Sequence, residues 1–186
     1  FELFRNRHMP VIVKPVSGGS SVATKVVRTY NELRDALVEA SQYGDILVED
    51  FIPGKEATVC VIDSSIPGES FVLYPIEIVP PTSHDFFDYD VKYNGETEEI
   101  CPGRFTLSTH GKLRDLALKA HNAIGARHYS RSDFIIDGEN IYLLEINTLP
   151  GLTENSLLPK ALKAGKVDFS DFIDHVITLA LESKKG

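Results

Sequence analysis

The chain predicts an α+β fold in which antiparallel sheets are flanked by helices. Strand-length apolar runs come as neighbours separated by turn residues, instead of alternating one for one with helices. Other stretches place apolar residues at helical spacing. Neither GxGxxG nor GxxxxGK[ST] occurs, which disfavours a Rossmann or P-loop fold, so any nucleotide site must be built another way. At 186 residues, 42% hydrophobic and 25% charged, the chain is long enough to bury a core without disulfides.

The elements follow in order. Residues 11–16 read as a buried strand, the polar and glycine-containing 17–21 as a hairpin tip, and 22–27 as a second strand. Thr29 and Glu32 form a capping-box pattern ahead of Leu33, Ala36, Leu37 and Ala40, predicting a helix over 30–42 that Gly44 ends. Strands are expected over 46–51, 56–63 and 71–79, with Pro67 and Gly68 turning between the last two. From Pro80 to about Pro102 no period is sustained, and a connection of that length is usually functional. Leu113, Leu116, Ala117, Ala120 and Ile124 mark a helix over 109–124, strands over 129–137 and 141–147 flank Gly138, Glu139 and Asn140, and helices over 157–164 and 170–181 complete the chain.

Composition narrows the function. Nineteen Lys and Arg against 27 Asp and Glu give a net charge of −8, the wrong sign for gripping a polyanionic nucleic acid. Cys60 and Cys101 are too few for a disulfide scaffold and lack CxxC spacing, so a reducing cytoplasm is the expected location. No apolar run reaches the length of a membrane span, and the start has no signal-peptide core, so neither a membrane nor export is expected. The first residue is Phe1 and a strand begins by Pro10, which predicts a chain opening partway through a longer protein.

The most informative stretch is Arg131-Ser132-Asp133 with Glu145-Ile146-Asn147. Side chains alternate along a strand, so Arg131 and Asp133 share a face, as do Glu145 and Asn147. A three-residue loop at 138–140 would set Asp137 opposite Ile141, Asp133 opposite Glu145 and Arg131 opposite Asn147, all four pointing one way. Two carboxylates and an amide so placed suit a hard cation such as magnesium. The alternative is a solvated face on which Arg131 merely neutralises Asp133 and Glu145. A turning segment, 148–153, follows, and Ser156 reads as the N-cap of the next helix, where anions are favoured.

The motifs VIVKPVSGGSSV, ILVEDFIPGKEATV, FFDYDVKY, EICPGRF, SRSDF and LLEINTLPGLTENSLLP, spread over about residues 10–165, together resemble the ATP-grasp catalytic region of D-alanine–D-alanine ligases. The resemblance implies an ATP-grasp fold lacking the N-terminal domain. Residues 1–53 would be the remnant of the N-terminal ATP-grasp subdomain, with the phosphate loop and adenine-contact strand, and 54–186 the C-terminal subdomain. It implies a cytoplasmic ligase of peptidoglycan synthesis, and so of cell-wall biogenesis and cell shape. Such an enzyme phosphorylates one D-alanine on its carboxylate and lets the amine of a second attack the acyl phosphate. ATP and two magnesium ions would be required, manganese being an acceptable substitute, with D-alanine as the small-molecule partner. A homodimer is compatible for the full-length protein. This chain alone is expected to be inactive.

By the same resemblance Lys14 contacts ATP phosphates and Ser17, Gly18, Gly19, Ser20 and Ser21 fold over them. Glu49, Asp50, Phe51 and Ile52 would meet adenine, and Glu56 the ribose. Lys92 and Tyr93 lie on a closing loop, Lys92 meeting the γ-phosphate, and Tyr93 leans towards an amine acceptor over D-lactate. Asp133, Glu145 and Asn147 would hold the magnesium pair, Arg131 and the Gly151 N–H would stabilise the tetrahedral intermediate, and Ser156 with the Leu157 N–H would clamp the second D-alanine's carboxylate. Taken singly, each has a plainer reading: a hairpin turn at 17–21, surface charges at Glu49 and Lys92, a Lys55 or Lys25 partner at Glu56, and a simple helix cap at Ser156. Two differences from the family stand out, the missing N-terminal part and the stretch 126–130, where a glycine-containing approach to Arg131 is expected. The same fold could serve another amino acid or acceptor, or a nucleotide-binding module without ligase activity.

Overall fold

A computed structural model describes residues 8–17, 21–81 and 97–182. The chain divides into two compact units, Phe1–Pro53 with Pro80–Thr97 and Gly54–Val79 with Glu98–Gly186.

Among the described residues, the first unit is a three-stranded antiparallel sheet with one helix. β1 (Val11–Pro15) lies between β2 (Lys25–Val27) and β3 (Ile46–Asp50). β2 begins at Lys25, three residues later than expected, because Ser21 and Ala23 both turn through left-handed backbone, with φ of 57° and 53°. Helix α1 (Tyr30–Ala40) closes at its start as the sequence suggests: the Thr29 hydroxyl accepts from the Glu32 N–H, and the Glu32 carboxylate reaches back to the Arg28 N–H at 2.8 Å. Its last turn tightens into a 3₁₀ segment, Ser41–Tyr43, ending at Gly44 with φ 119°. Val11 and Val13 face Leu33, Ala36 and Ala40 of α1, so Ile12 and Lys14 occupy the opposite face of the sheet.

Among the described residues, the second unit is a six-stranded antiparallel sheet with three helices. Its strands are β4 (Lys55–Asp63), β5 (Ser70–Val72), β6 (Ile76–Val79), β7 (Glu98–Ile100), β8 (Tyr129–Asp137) and β9 (Asn140–Asn147), ordered β7-β6-β4-β8-β9 with β5 paired to the far end of β4. The single strand expected over 71–79 is two. β5 pairs with 61–63 of β4 and β6 with 56–58, and the intervening segment holds Pro75, which has no N–H for a ladder. Three-residue β7 has too little pattern to be read from sequence. Gly54 is required where β4 begins, since a Cβ there would lie 2.4 Å from the Ile136 carbonyl oxygen.

Helix α2 (Leu107–Ala123) covers one face of this sheet, Leu113 and Ala117 packing on Ala57, Val59 and Val61 of β4 and on Phe134 and Ile136 of β8. Helices α3 (Leu157–Ala164) and α4 (Phe169–Glu182) follow β9. Among the described residues no helix is long and apolar enough to cross a membrane.

Candidate active site

The face of β4 and β8 turned away from α2 carries Glu56, Arg131 and Asp133 of the sequence-predicted site. β4 alternates Ala57, Val59 and Val61 towards the helix with Glu56, Thr58 and Cys60 away from it, and the pairing of Thr58 with Asp133 and of Cys60 with Arg131 extends that second face across β8. Its outer part is β9, where Arg131 opposes Asn147 and Asp133 opposes Glu145, as the sequence predicts. The path to that register differs from the expected one. The turn holds two residues, Gly138 and Glu139, so that Asp137 opposes Asn140 and Phe134 opposes Leu143. Leu144 is then an extra residue on β9, and the bulge restores the alignment from Asp133 onward.

Asp133 is the hub. Arg131 forks onto it, Nε to Oδ1 at 2.9 Å and Nη2 to Oδ2 at 2.8 Å. The Asn147 amide donates to Asp133 Oδ2 at 3.4 Å and to Glu145 Oε1 at 3.3 Å, bridging the carboxylates. From below, the buried Thr58 hydroxyl donates to Asp133 Oδ1 at 2.5 Å. The sequence alone does not single out Thr58, because only the β4–β8 register places it there. Burial pulls the Arg131 pKa down, but hydrogen bonding and charge attraction from Asp133 outweigh it and hold the guanidinium above its ordinary range.

The donor set fits a hard cation. Among the described residues no three His, Cys, Asp or Glu side chains converge. The set here is two carboxylates and an amide, and turning the Asn147 amide over would present Oδ1 where Nδ2 now bridges them.

Downstream, Gly151 and Ser156 meet. A Cβ on Gly151 would lie 2.8 Å from Ser156 Oγ, so the hydroxyl sits against the glycine backbone. Ser156 has the extended N-cap backbone of α3 but makes no side-chain cap bond. Pro159, three residues on, has no N–H to donate to it, and Oγ instead pairs with the Thr153 hydroxyl at 2.8 Å. This departs from the simple-cap reading. The Leu157 N–H lies in the first turn of α3, where helix geometry supplies no intrahelical acceptor. The neighbouring open groove, about 420 Å³ and lined by Ile124, Arg127, His128, Tyr129, Thr148 and Leu149 among others, contains none of the predicted site residues.

In the first unit, Lys14 and Glu49 project from the same sheet face as an ion pair of 2.5 Å, both partly exposed. Phe51 and Ile52 are half-buried just past β3, Asp50 ends β3, and Ser17 and Ser21 flank the hairpin tip. Glu56, in the second unit, opposes Ile135 on the Asp133 face. Gly18, Gly19, Ser20, Lys92 and Tyr93 lie outside the described residues.

The approach to Arg131 uses a device the sequence did not disclose. His128 adopts left-handed backbone, φ 70°, and Asp63 holds it there: the Asp63 carboxylate accepts the His128 N–H at 2.6 Å and the Asp63 N–H donates to the His128 carbonyl at 2.9 Å. Asp63 also accepts from His121 Nε2 at 3.0 Å, and His121 Nδ1 meets the Ser130 hydroxyl at 2.7 Å.

Residues 2–178 match the family model described as D-ala D-ala ligase C-terminus. A D-alanine–D-alanine ligase of Desulfotalea psychrophila is 40% identical over 190 residues, an alignment covering 100% of this chain and 58% of that protein. The crystal structure of D-alanine–D-alanine ligase from Bacillus anthracis superposes with a TM-score of 0.80 at 31% identity, over 99% of this chain and 58% of that one. Its complex with ATP gives 0.77 at 27% identity, over 95% and 54%. VanG D-Ala:D-Ser ligase from Enterococcus faecalis gives 0.82 at 30% identity, over 96% and 51%. The chain thus spans somewhat more than half the length of the curated relative it matches.

Proposed function

Because the chain belongs to the D-alanine–D-alanine ligase C-terminal family and carries its ATP-grasp fold, we propose that it is the catalytic region of an ATP-dependent carboxylate–amine ligase that forms D-alanyl-D-alanine for peptidoglycan in the cytoplasm. The observation that carries this reading is the Arg131–Asp133–Asn147–Glu145 cluster on one sheet face, in the same unit as a Gly151–Ser156 pair whose hydroxyl is not spent on capping.

In this reading residues 1–53 supply the nucleotide contacts of the N-terminal ATP-grasp subdomain and 54–186 form the C-terminal subdomain. Lys14 leaves Glu49 to meet phosphate oxygens, joined by the loop Ser17 to Ser21 and by Lys92. Glu49 then accepts from the adenine amino group, with the peptide groups of Asp50 to Ile52 along the base edge and Glu56 accepting from ribose hydroxyls. Asp133, Glu145 and Asn147 would hold two magnesium ions, which when bound offset the charge of the nucleotide phosphates. Arg131 turns from Asp133 towards the tetrahedral carbon and, with the Gly151 N–H, stabilises its negative oxygens, donors of this kind contributing roughly 3 kcal/mol each. Ser156 and the Leu157 N–H hold the acceptor carboxylate at the positive end of α3.

A second reading, D-serine as acceptor, is favoured by the equal likeness to VanG; Tyr93 supports an amine nucleophile over D-lactate in either case. The test has two arms. Calorimetry of Mg²⁺-dependent ATP binding should show Glu145→Gln at least about tenfold weaker than wild type, and unchanged binding would remove the metal assignment. Product analysis with the full-length gene product, offered D-alanine, D-serine and D-lactate together, should yield mainly D-alanyl-D-alanine; an ester or a D-serine product would reassign the acceptor.

A further inference from the structure

The Asp133 carboxylate has two oxygens in unlike surroundings. Oδ1 points into the sheet and receives the Thr58 hydroxyl at 2.5 Å together with Arg131 Nε at 2.9 Å. Oδ2 points outward, its partners being Arg131 Nη2 at 2.8 Å and the Asn147 amide at 3.4 Å. The outer donors can leave, since a guanidinium swings on a long stem and an amide turns over. Thr58 cannot. It is 1% exposed on β4, flanked by Ile76 of β6 and Asp133 of β8, and β-branching restricts its χ1. Its other acceptor, the Ser132 carbonyl, is 3.2 Å away, and a hydroxyl has one proton, so the shorter bond to Oδ1 takes it.

We propose that Thr58 is a positioning residue that engages Oδ1 of Asp133 and leaves Oδ2 as its one coordinating oxygen, thereby favouring Mg²⁺ over Ca²⁺. The inference rests on the metal reading of Asp133 above. Mg²⁺ takes a tight octahedron with one oxygen from each carboxylate, whereas Ca²⁺ is larger and accepts both oxygens of one. A carboxylate with one oxygen tied down serves the first ion better. Without the Thr58 hydroxyl, Asp133 can rotate and offer both.

The experiment titrates MgCl₂ and CaCl₂ separately into the chain premixed with ATP, by calorimetry, for wild type, Thr58→Val, Thr58→Ser and Glu145→Gln. Thr58→Val should lose about tenfold in Mg²⁺ affinity, as removal of an outer partner of a ligand commonly does, while Ca²⁺ affinity holds or rises. Thr58→Ser, which keeps the hydroxyl, should restore the wild-type Mg²⁺ to Ca²⁺ ratio. A role in packing alone would instead lower the unfolding temperature and leave that ratio untouched. Should Thr58→Val not fold, Thr58→Ala removes the same hydroxyl without adding a methyl. A wild-type ratio in Thr58→Val or Thr58→Ala, with Mg²⁺ binding lost in Glu145→Gln, overturns the inference and leaves the metal reading standing. Mg²⁺ binding that Glu145→Gln does not weaken overturns both.

Discussion

The paired strands β4 and β8 carry two aspartate-centred polar clusters, one on each side of the sheet, and they differ in whether their partners can leave. On the α2 side, Asp63 holds the His128 N–H and His121, which in turn meets Ser130; His121 is 1% exposed and Ser130 is fully buried. The carboxylate accepts only, so His121 Nε2 carries a proton, and in the neutral imidazole Nδ1 accepts from the Ser130 hydroxyl. The order Ser–His–Asp is that of a hydrolase triad, yet no substrate can reach this serine, and the network fixes backbone. On the other side, Asp133 is held by a guanidinium and an amide that can both turn away, and by one buried threonine that cannot. Residue types alone do not separate the two clusters. Burial of the partners does.

The largest effect should come from breaking the fixed cluster. Asp63→Ala removes the acceptor of a buried imidazole N–H and of the His128 N–H, and each buried donor left unsatisfied costs about 1–3 kcal/mol, so a total loss of about 3 kcal/mol is expected in urea unfolding. Adding His128→Gly should recover part of it, because glycine holds a φ near 70° without help. Glu145→Gln, on the other cluster, should leave unfolding within about 0.5 kcal/mol of wild type. Equal losses from the two would erase the distinction.

A third acidic hub sharpens the contrast through pH. Glu77, on β6 opposite Ala57, is buried and accepts from the Arg104 N–H at 3.0 Å, Arg104 Nε at 2.9 Å and Lys55 Nζ at 3.4 Å. Burial pushes its pKa up, but the Arg104 hydrogen bonds and the two positive charges prevail, and the group titrates below its ordinary value of 4.5. A carboxylate whose folded pKa is depressed contributes stability that is fully present above the unfolded pKa and is lost as pH falls through the folded one. Glu77→Gln should therefore be less stable than wild type at neutral pH, and the gap should close as pH falls below 4.5. A gap constant from neutral to acid pH in thermal melts would show that the charge of Glu77 contributes nothing.

Much of this was legible in the sequence because local patterns are strong where one face is buried. α1 and α2, the β1–β2 hairpin and the β8–β9 pair all follow from apolar spacing and turn residues. The Asp133–Glu145 alignment was reached by a route the chain does not take: a turn one residue shorter than expected and a bulge at Leu144 cancel, and neither leaves a signature in apolar spacing. Thr58 and Asp63 stayed hidden for a different reason. Each acts through partners between 58 and 75 residues away in sequence, and only the pairing of β4 with β8 and the packing of α2 bring them together. Ser156 has the residue type of a helix cap, and Pro159, with no N–H at the position a cap would serve, is the sign in the sequence against that role.

That sign supports the smallest and most discriminating test, set between two helix starts in the same unit. Thr106 caps α2 in the ordinary way, its hydroxyl accepting the Thr109 N–H at 3.1 Å. Removing such a cap costs about 1 kcal/mol, so Thr106→Ala should lower stability by that amount in chemical denaturation. Ser156 occupies the equivalent position on α3, but its hydroxyl bonds Thr153 and no helix N–H. Ser156→Ala should therefore change stability by less than about 0.5 kcal/mol, the range of an ordinary surface substitution. If the hydroxyl is kept for the acceptor carboxylate, the same substitution in the full-length gene product should raise KM for the second D-amino acid more than it lowers kcat, since it removes a contact made in ground state and transition state alike. A stability loss matching that of Thr106→Ala would return Ser156 to a simple cap and remove it from the substrate site.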